Sequence, residues 1–232
     1  MKWFTGLSAA GMVMVLVACG GGGSTTPEED DAGVSPVRIT GVAATGAALV
    51  GAEITARCAA GPVVRGVSGS GGDYVLEVRP DALPCVLSAV SADRSRTLHS
   101  VATAADPVPV VIAHITPLTE LLVAQLAGAA PSGFMRAASA GTLQGALTSA
   151  NLRDAQAAVV GMLRIMGVDP APISDVLRQP LVAASAVQRG NAHDKVLDAL
   201  DMAMRTSGAT LSDLVRMAIR RARALEQVDF PQ

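Results

Sequence analysis

The sequence predicts an α+β protein of two domains, a seven-stranded antiparallel β-sandwich followed by a small α-helical bundle. Residues 37–114 hold short stretches of valine, isoleucine and leucine separated by glycine, proline, aspartate and serine, the pattern of an all-β module. Over residues 115–228 the apolar side chains recur instead every three or four positions, as on the buried face of a helix. The change of period after His114 marks the predicted domain boundary.

The chain begins with the features of an export signal. A single basic residue, Lys2, precedes an apolar run from Gly11 to Ala18, which is shorter than the about 20 residues that a membrane-spanning helix needs. This combination is typical of a secretory signal peptide, so we expect residues 1–18 to be removed.

The end of that run, Leu16-Val17-Ala18-Cys19, resembles the lipobox of bacterial lipoproteins, an aliphatic and two small residues before a cysteine. The resemblance implies cleavage before Cys19, a diacylglycerol on its sulfur and usually a third acyl chain on its amine. Each buried methylene contributes about 0.8 kcal/mol, so two or three chains anchor stably. Gly20 follows Cys19, as in lipoproteins of the Gram-negative outer membrane. The alternative is an ordinary secretory peptide cut near Ala18, with Cys19 a free thiol.

Residues 19–36 are predicted to form a flexible tether. Four glycines and a serine follow Cys19, and the acidic run Glu28–Asp31 shows no apolar periodicity that could bury surface. An acidic run can also bind cations or basic partners, but a solvated spacer is the simpler interpretation.

Charge and composition narrow the classes of partner. The chain has 18 basic and 20 acidic residues, and loss of Lys2 with the signal peptide makes it more acidic, so nothing recruits nucleic acid over the whole surface. After removal of the signal peptide the aromatic residues are Tyr74, Phe134 and Phe230, too few for a stacking platform that binds glycans. We expect no nucleic-acid or glycan partner and no cofactor.

The remaining cysteines predict a disulfide. With Cys19 carrying lipid, Cys58 and Cys85 are left as a pair in an oxidising exported compartment. Closing the loop between them would stabilise the fold by about 3.5 kcal/mol on the chain-entropy account. Two reduced, buried thiols are the alternative.

Seven strands are predicted in the N-terminal domain. Ile54 and Ala56 alternate with Glu53 and Thr55, and the other strands are likewise expected to bury one face. Such short antiparallel strands usually close as a sandwich. The predicted strands are Val37–Ala43, Ala52–Cys58, Val63–Val67, Tyr74–Val78, Cys85–Ser91, Thr97–Ala102 and Val108–Ala113.

A family resemblance follows from the order of these segments. The Gly41-Val42 strand, the loop from Gly46 to Gly51, the strand Ala52–Cys58 and the turn Gly71-Gly72-Asp73-Tyr74 together resemble the carboxypeptidase regulatory-like domains, transthyretin-like sandwiches common in exported bacterial proteins. The resemblance covers about a third of the chain. It implies a structural and binding scaffold without catalytic residues of its own.

The helical domain is predicted to start with Thr116 as N-cap and Pro117 at the first helical position. The stretch from His114 to Leu121 resembles the junction of proteobacterial lipoproteins that join such a sandwich to a helical half, and it implies no activity. Leucines then recur at helical spacing as far as Gly128.

Three longer helices follow in the prediction. Asn151 caps the first, which ends at Gly167; the second starts near His193 and ends at Gly208. In the third, Thr210 and Asp213 form an approximate capping box. Two short helices are also predicted, one around Leu143 and Leu147 and one over Ile173–Leu177.

Catalytic and metal signatures are weak. The histidines His99, His114 and His193 show no ligand spacing such as i, i+4, so no metal site is predicted. A serine nucleophile in a Gly-x-Ser-x-Gly elbow is missing as well. We therefore predict that the protein is not an enzyme.

The last predicted helix carries a basic stripe. Arg216, Arg220 and Arg223 fall at i, i+4 and i+7, with Arg221 beside them. Cations near a helix C-terminus are favoured by its dipole, which explains the stripe without a partner. An anionic partner, a headgroup or an acidic protein, is the functional alternative.

These observations predict a lipid-anchored protein of the Gram-negative outer membrane that acts as a non-enzymatic binding or scaffolding module. Its expected partners are the membrane, through the acyl chains, and an envelope protein. The alternatives are an envelope hydrolase with a site between the two domains and a purely structural spacer.

Overall fold

Seven β-strands in two sheets and six α-helices make up the part of the chain that the computed structural model describes, residues 35–103, 109–185 and 188–228, with only the backbone from residue 225. The strands come first and the helices follow, so the mixed α+β class predicted from the sequence is confirmed. The predicted signal peptide, Cys19 and the tether up to residue 34 lie outside the described residues.

The strands form a three-stranded sheet in the order β4-β1-β7 and a four-stranded sheet in the order β3-β2-β5-β6. Each strand agrees with its predicted position to within two residues. The strands are β1 (Val37–Val42), β2 (Glu53–Cys58), β3 (Val64–Val67), β4 (Asp73–Val78), β5 (Cys85–Val90), β6 (Thr97–Ala102) and β7 (Val110–Ile112).

The prediction of purely antiparallel sheets is wrong at one pair. Strands β1 and β7 are parallel, with Ile39 opposite Val111, whereas the other four described pairs are antiparallel. Strand β7 reaches β1 after the chain has crossed to the other sheet and returned, and such a crossover permits the parallel direction that a hairpin forbids. The parallel run continues past β7, because Ile115 N–H donates to the carbonyl oxygen of Val42 (3.0 Å).

Buried and exposed side chains alternate along some strands and not along others. In β4 the side chains of Tyr74, Leu76 and Val78 are buried and those between them are exposed, as predicted. In β5 and β6 almost every side chain is buried, so the expectation of one buried face per strand is wrong there. Leu87 packs into the core between the sheets, whereas Val86 on the opposite face packs against helices. The four-stranded sheet is therefore the middle of three layers.

The helices match the predicted caps closely. Thr116 caps α1 in a reciprocal box with Thr119, and Gly128 ends the helix in the left-handed conformation. Thr210 and Asp213 form the predicted box at the start of α6, with each backbone N–H donating to the other's side chain. The helices are α1 (Pro117–Ala127), α2 (Pro131–Arg136), α3 (Ala140–Ala146), α4 (Ser149–Ile165), α5 (Ala192–Ser207) and α6 (Leu211–Val228).

Two predictions in the helical part are wrong. The N-cap of α4 is Thr148, and Asn151 is inside the helix with its backbone N–H donating to the Thr148 hydroxyl (3.2 Å). Residues 173–177 form turns and not a helix. Asp175 Oδ1 accepts from the backbone N–H groups of Leu177 (2.8 Å) and Arg178 (3.1 Å), a local side-chain bond that competes with helix formation. Helix α2 was not predicted from the sequence.

Helix α1 is the central helix of the fold. It contacts β6 on one side and α4 and α6 on the others. Its side chains from Pro117 to Gln125 are all buried, including the polar side chains of Thr119, Glu120 and Gln125. On α6, Leu214, Ala218 and Ala222 are buried at the predicted helical spacing. This apolar stripe makes the core of the helical layer.

We predict that Leu214→Asp unfolds or severely destabilises the protein. Leu214 is 1% exposed, and burying a carboxylate in place of its aliphatic contacts should cost about 4 kcal/mol or more of a total of about 5–15 kcal/mol. The matched control is Ser212→Asp, which adds the same charge at an exposed position two residues earlier, where the helix dipole favours it. Urea unfolding measures both. Equal stability of the two variants would contradict the packing of α6.

Candidate functional site

The first turn of α1 closes the open edge of β6. Thr119 Oγ1 donates to the carbonyl oxygen of His99 (2.8 Å), and Glu120 Oε2 accepts from the backbone N–H of His99 (2.6 Å) and lies 2.9 Å from its ring Nδ1. An edge strand would otherwise offer these backbone groups to another chain. His99 and Glu120 are 4% and 8% exposed, so the hydrogen bonds to the carboxylate form away from water.

Ser88 lies opposite His99 in the β5–β6 register. The Ser88 hydroxyl, the His99 imidazole and the Glu120 carboxylate thus lie in the spatial order of the nucleophile, base and acid of a catalytic triad. Ser88 is only 8% exposed, however, and neither it nor His99 lines the groove described below. The geometry favours a structural role, because Glu120 Oε2 is shared between the ring and the backbone of His99.

A buried pair of histidines joins the sandwich to α5. The rings of His114 and His193 meet edge to face with centroids 5.8 Å apart. His114 Nδ1 accepts from the backbone N–H of Val42 (3.1 Å), so its proton must be on Nε2, which donates to the carbonyl oxygen of Gln179 (2.9 Å). His193 Nδ1 lies 3.2 Å from the same oxygen. The bond that His114 accepts from Val42 thus requires the neutral ring.

The electrostatics agree with these hydrogen bonds. Burial, followed by repulsion from His193, lowers the pKa of His114 to about 4. Burial also lowers the pKa of His193, although the Gln179 carbonyl and Asp175 act in the opposite direction. Burial raises the pKa of the neighbouring carboxyl of Asp194. The pair is therefore neutral at pH 7.

The candidate binding site is a groove of about 250 Å³ where the sandwich core, through Leu98, meets the helical core, through Leu197 and Leu200. Strand β6, the start of α1, helix α5 and the start of α6 border it. Leu98, Leu197 and Leu200 form the floor and are almost fully buried, while Met204 and Leu211 are half-buried on the walls. The floor therefore offers apolar contact and no polar side chain.

The rim of the groove is polar. Thr45 comes from the β1–β2 loop, Ser95 and Arg96 from the β5–β6 hairpin, Thr97 from β6 and Asp201 from α5. Asp201 forms an ion pair with Arg205 one turn further along α5. The guanidinium of Arg96 has no partner among the described residues, and the residue is exposed.

The hairpin that carries Arg96 is held by its own hydrogen bonds. The backbone N–H of Arg96 donates to Ser91 Oγ (3.0 Å). The backbone carbonyl oxygen of Arg96 accepts from the backbone N–H of Ser91 (3.0 Å). Asp93 Oδ1 accepts from Ser91 Oγ (2.6 Å) and Ser95 N–H (3.1 Å). Hydrogen bonds from Ser91 and Ser95 lower the pKa of Asp93 to about 2, so its carboxylate is ionised and occupied within the turn.

The β1–β2 loop closes one end of the groove by lying against α5. Gly46 has φ +92°, and a Cβ on it would come 2.5 Å from Asp198 Oδ1. Only glycine combines this conformation with so close an approach. The loop thereby holds Thr45 at the rim.

The predicted disulfide is present and lies away from the groove. Cys58 and Cys85 are direct partners in the β2–β5 register, at the end of β2 and the start of β5. The groove meets the opposite end of β5, at the hairpin. The disulfide therefore fixes the sheet and does not contact the site. Cys19, the predicted lipidation site, lies outside the described residues.

The arginines of the basic stripe on α6 fall into two groups. All four arginines are exposed on α6, but Arg216 forms an ion pair with Asp213, and Arg223 Nε donates to the carbonyl oxygen of Gly128 at the end of α1 (2.9 Å). Arg223 thus satisfies a terminal carbonyl of another helix. An anionic partner would meet Arg220 and Arg221. The stripe and the groove are separate surfaces, since none of these arginines lines the groove.

Sequence reasoning missed the groove. The helical spacing of Leu197, Leu200 and Met204 predicts a core stripe, and Leu197 and Leu200 are buried in the core, but the spacing does not show that these side chains also border a groove with Arg96. No sequence pattern marks Arg96, because its position at the rim depends on a hairpin that folds over α5 about a hundred residues further along the chain. The available signal in the sequence was the polar run of residues 91–96, which separates two apolar strands and predicts an exposed hairpin.

Comparisons with known proteins add no assignment. No protein-family model, no curated protein and no solved structure matches the chain. Within the described residues, no three histidine, cysteine, aspartate or glutamate side chains come together as a metal site requires. No helix in the same ranges combines the length and hydropathy needed to span a bilayer.

We predict that acid destabilises the protein through the histidine pair. His114 has a folded pKa of about 4 against about 6.5 when unfolded, so its contribution is present above pH 6.5 and is lost as the pH falls toward 4, on the order of 3 kcal/mol. A proton on Nδ1 would face the N–H of Val42. Asp194, whose pKa is raised, offsets part of this loss as it becomes protonated.

Urea unfolding of wild type and His114→Asn between pH 7 and pH 4 tests this prediction. The variant should be less stable at pH 7 but should lose less stability on acidification, because Asn cannot be protonated and Asp194 is the same in both proteins. Parallel curves for the two proteins would show that His114 does not carry the acid sensitivity.

Proposed function

We propose that this is a lipid-anchored protein of the Gram-negative cell envelope whose folded part binds a small apolar molecule in the groove between β6 and α5. The observation that carries the proposal is an open groove with an apolar floor and half-buried apolar walls, Met204 and Leu211, beside a polar rim. Concave apolar surfaces with a few polar groups at the margin are the usual small-molecule sites of proteins. The function is non-enzymatic binding.

The groove is suited to binding because it is built before any ligand arrives. Its floor comes from a buried strand and a buried helix face, and its rim is held by the hairpin bonds of Ser91 and by the contact of Gly46 with Asp198. A ligand that enters loses little binding free energy to ordering the protein. This supports a binding module over a plain structural spacer.

The envelope location is supported by two features. The lipobox-like segment ending at Cys19 follows a signal-peptide core, and the disulfide Cys58–Cys85 is of the kind that persists in oxidising, exported compartments. We also propose that the sandwich is transthyretin-like, as the turn before Tyr74 and the loop after Gly46 suggest, and that it serves as the scaffold of the groove.

A hydrolase is the second candidate, and the juxtaposition of Ser88, His99 and Glu120 is the observation in its favour. The burial of Ser88 argues against it. An ester-hydrolase screen of wild type and Ser88→Ala distinguishes the two classes. Activity that disappears in Ser88→Ala would replace binding by catalysis as the proposed function.

We predict that Cys19→Ala abolishes lipidation and releases the protein from the membrane fraction, because the diacylglycerol attaches to that sulfur. Cells labelled with palmitate should give a labelled wild-type band and an unlabelled Cys19→Ala band, with Ser24→Ala as a control that keeps the label. Labelling that persists without Cys19 would refute the lipoprotein assignment.

We predict that Met204→Trp blocks the groove, since the larger side chain on its wall fills the space over Leu200. The probe 1-N-phenylnaphthylamine should bind the mature wild-type protein and bind Met204→Trp at least about tenfold more weakly. Met202→Trp is the matched control, because Met202 is 62% exposed on the same helix and does not line the groove. Fluorescence titration measures all three. Equal loss in both variants, or no binding by wild type, would contradict the proposal.

A further inference from the structure

The floor of the groove defines one half of its ligand. Leu98, Leu197 and Leu200 close its floor with aliphatic carbon, but each is only 1–2% exposed, so most of the apolar contact for a ligand comes from Met204 and Leu211 on the sides. A polar group placed on this floor would lose its bonds to water without gaining a partner. The part of the ligand that enters must therefore be a hydrocarbon.

The charges on the rim define the other half. Among the described residues, Asp201 is the only acidic one that lines the groove, and it is already paired with Arg205. Asp93 in the nearby hairpin is occupied by Ser91 and Ser95. The Arg96 guanidinium, in contrast, has no partner among the described residues, so the rim offers an unmatched positive charge.

Arg96 is placed to act as an anchor. Its backbone is fixed on both sides by Ser91, which reduces the entropy lost when the side chain engages a ligand. The hydroxyl groups of Thr97 and Thr45 lie on the same rim and add hydrogen-bond donors, whereas the Ser95 hydroxyl already donates to Asp93. A guanidinium flanked by hydroxyl groups is suited to a carboxylate, which it can bind through two hydrogen bonds.

The size of the groove limits the hydrocarbon. Its volume of about 250 Å³ lies just below the about 300–1,000 Å³ that is usual for small-molecule pockets. A single medium-length chain matches this space, whereas a two-chain phospholipid would leave one chain in water.

We infer that the ligand is a medium-chain fatty acid, with its alkyl chain on the leucine floor and its carboxylate on Arg96. This inference rests on the proposed binding function and adds the chemical class of the ligand. It assigns Arg96 as the residue that selects an anionic head group.

The test uses three probes with the same ten-carbon chain, decanoate, decanol and decyltrimethylammonium, titrated calorimetrically into the mature protein at neutral pH. We expect decanoate to bind most tightly and the cation most weakly. Arg96→Gln should weaken decanoate about fivefold and leave decanol unchanged, because an exposed ion pair contributes up to about 1 kcal/mol. Raised salt should narrow the difference in affinity between decanoate and decanol, because it screens the charge of Arg96.

The matched control is Arg94→Gln, which removes the same charge from the same hairpin at an exposed residue that does not line the groove. It should keep the preference for decanoate. If both variants weaken decanoate equally, the effect comes from the net charge of the hairpin and not from a contact with Arg96. That result would overturn the assignment of Arg96 as the head-group residue.

The outcomes separate this inference from the function on which it rests. If all three probes bind and Met204→Trp weakens them equally, but the head group and Arg96 make no difference, the groove is a binding site and the fatty-acid inference is wrong. If no probe binds, or Met204→Trp changes nothing, the binding function itself fails and the inference with it. A preference for the cation would also overturn the inference.

Discussion

The closure of strand β6 by the first turn of α1 is the contact on which the remaining structure depends. The outward backbone groups of His99 are satisfied by Thr119 and Glu120, so the sheet ends inside the protein and not at a free edge. The same contact fixes the direction of α1, against which α4 and α6 pack. It also places Pro117 beside β6, where the groove begins. Sheet, helical core and candidate site therefore share one junction.

The middle sheet links the two halves of the predicted two-domain arrangement. Val86 and Val101 pack among the helices, while Leu87 and Leu98 on the other face pack into the sandwich. Burial on both faces demands strands that are apolar throughout, as is usual where layers cover a sheet on both sides. The groove lies where this doubly buried sheet ends in an exposed hairpin, so apolar and charged side chains meet there.

Sequence patterns predicted most of the local structure because the determinants are local. Short aliphatic runs between turn residues located the strands, and capping residues such as Thr116 and Thr210 located the helix starts to the residue. Failures came where a distant or competing contact decides. Asp175 bonds the backbone that a helix over 173–177 would need, and the parallel pairing of β7 depends on a crossover. The groove could not be predicted, because Arg96 and Met204 become neighbours of one cavity only after the whole fold has formed.

The position of β1 has a mechanical consequence. If the proposed lipid anchor at Cys19 holds the protein, a pulling force would reach the described part of the chain near Val37, the first residue of β1. This strand is paired on both sides, with β4 antiparallel and β7 parallel. A force along β1 would have to shear both ladders of hydrogen bonds at once and could not open them one by one. The first described strand is thus paired on both sides, an arrangement that resists a load applied along the strand.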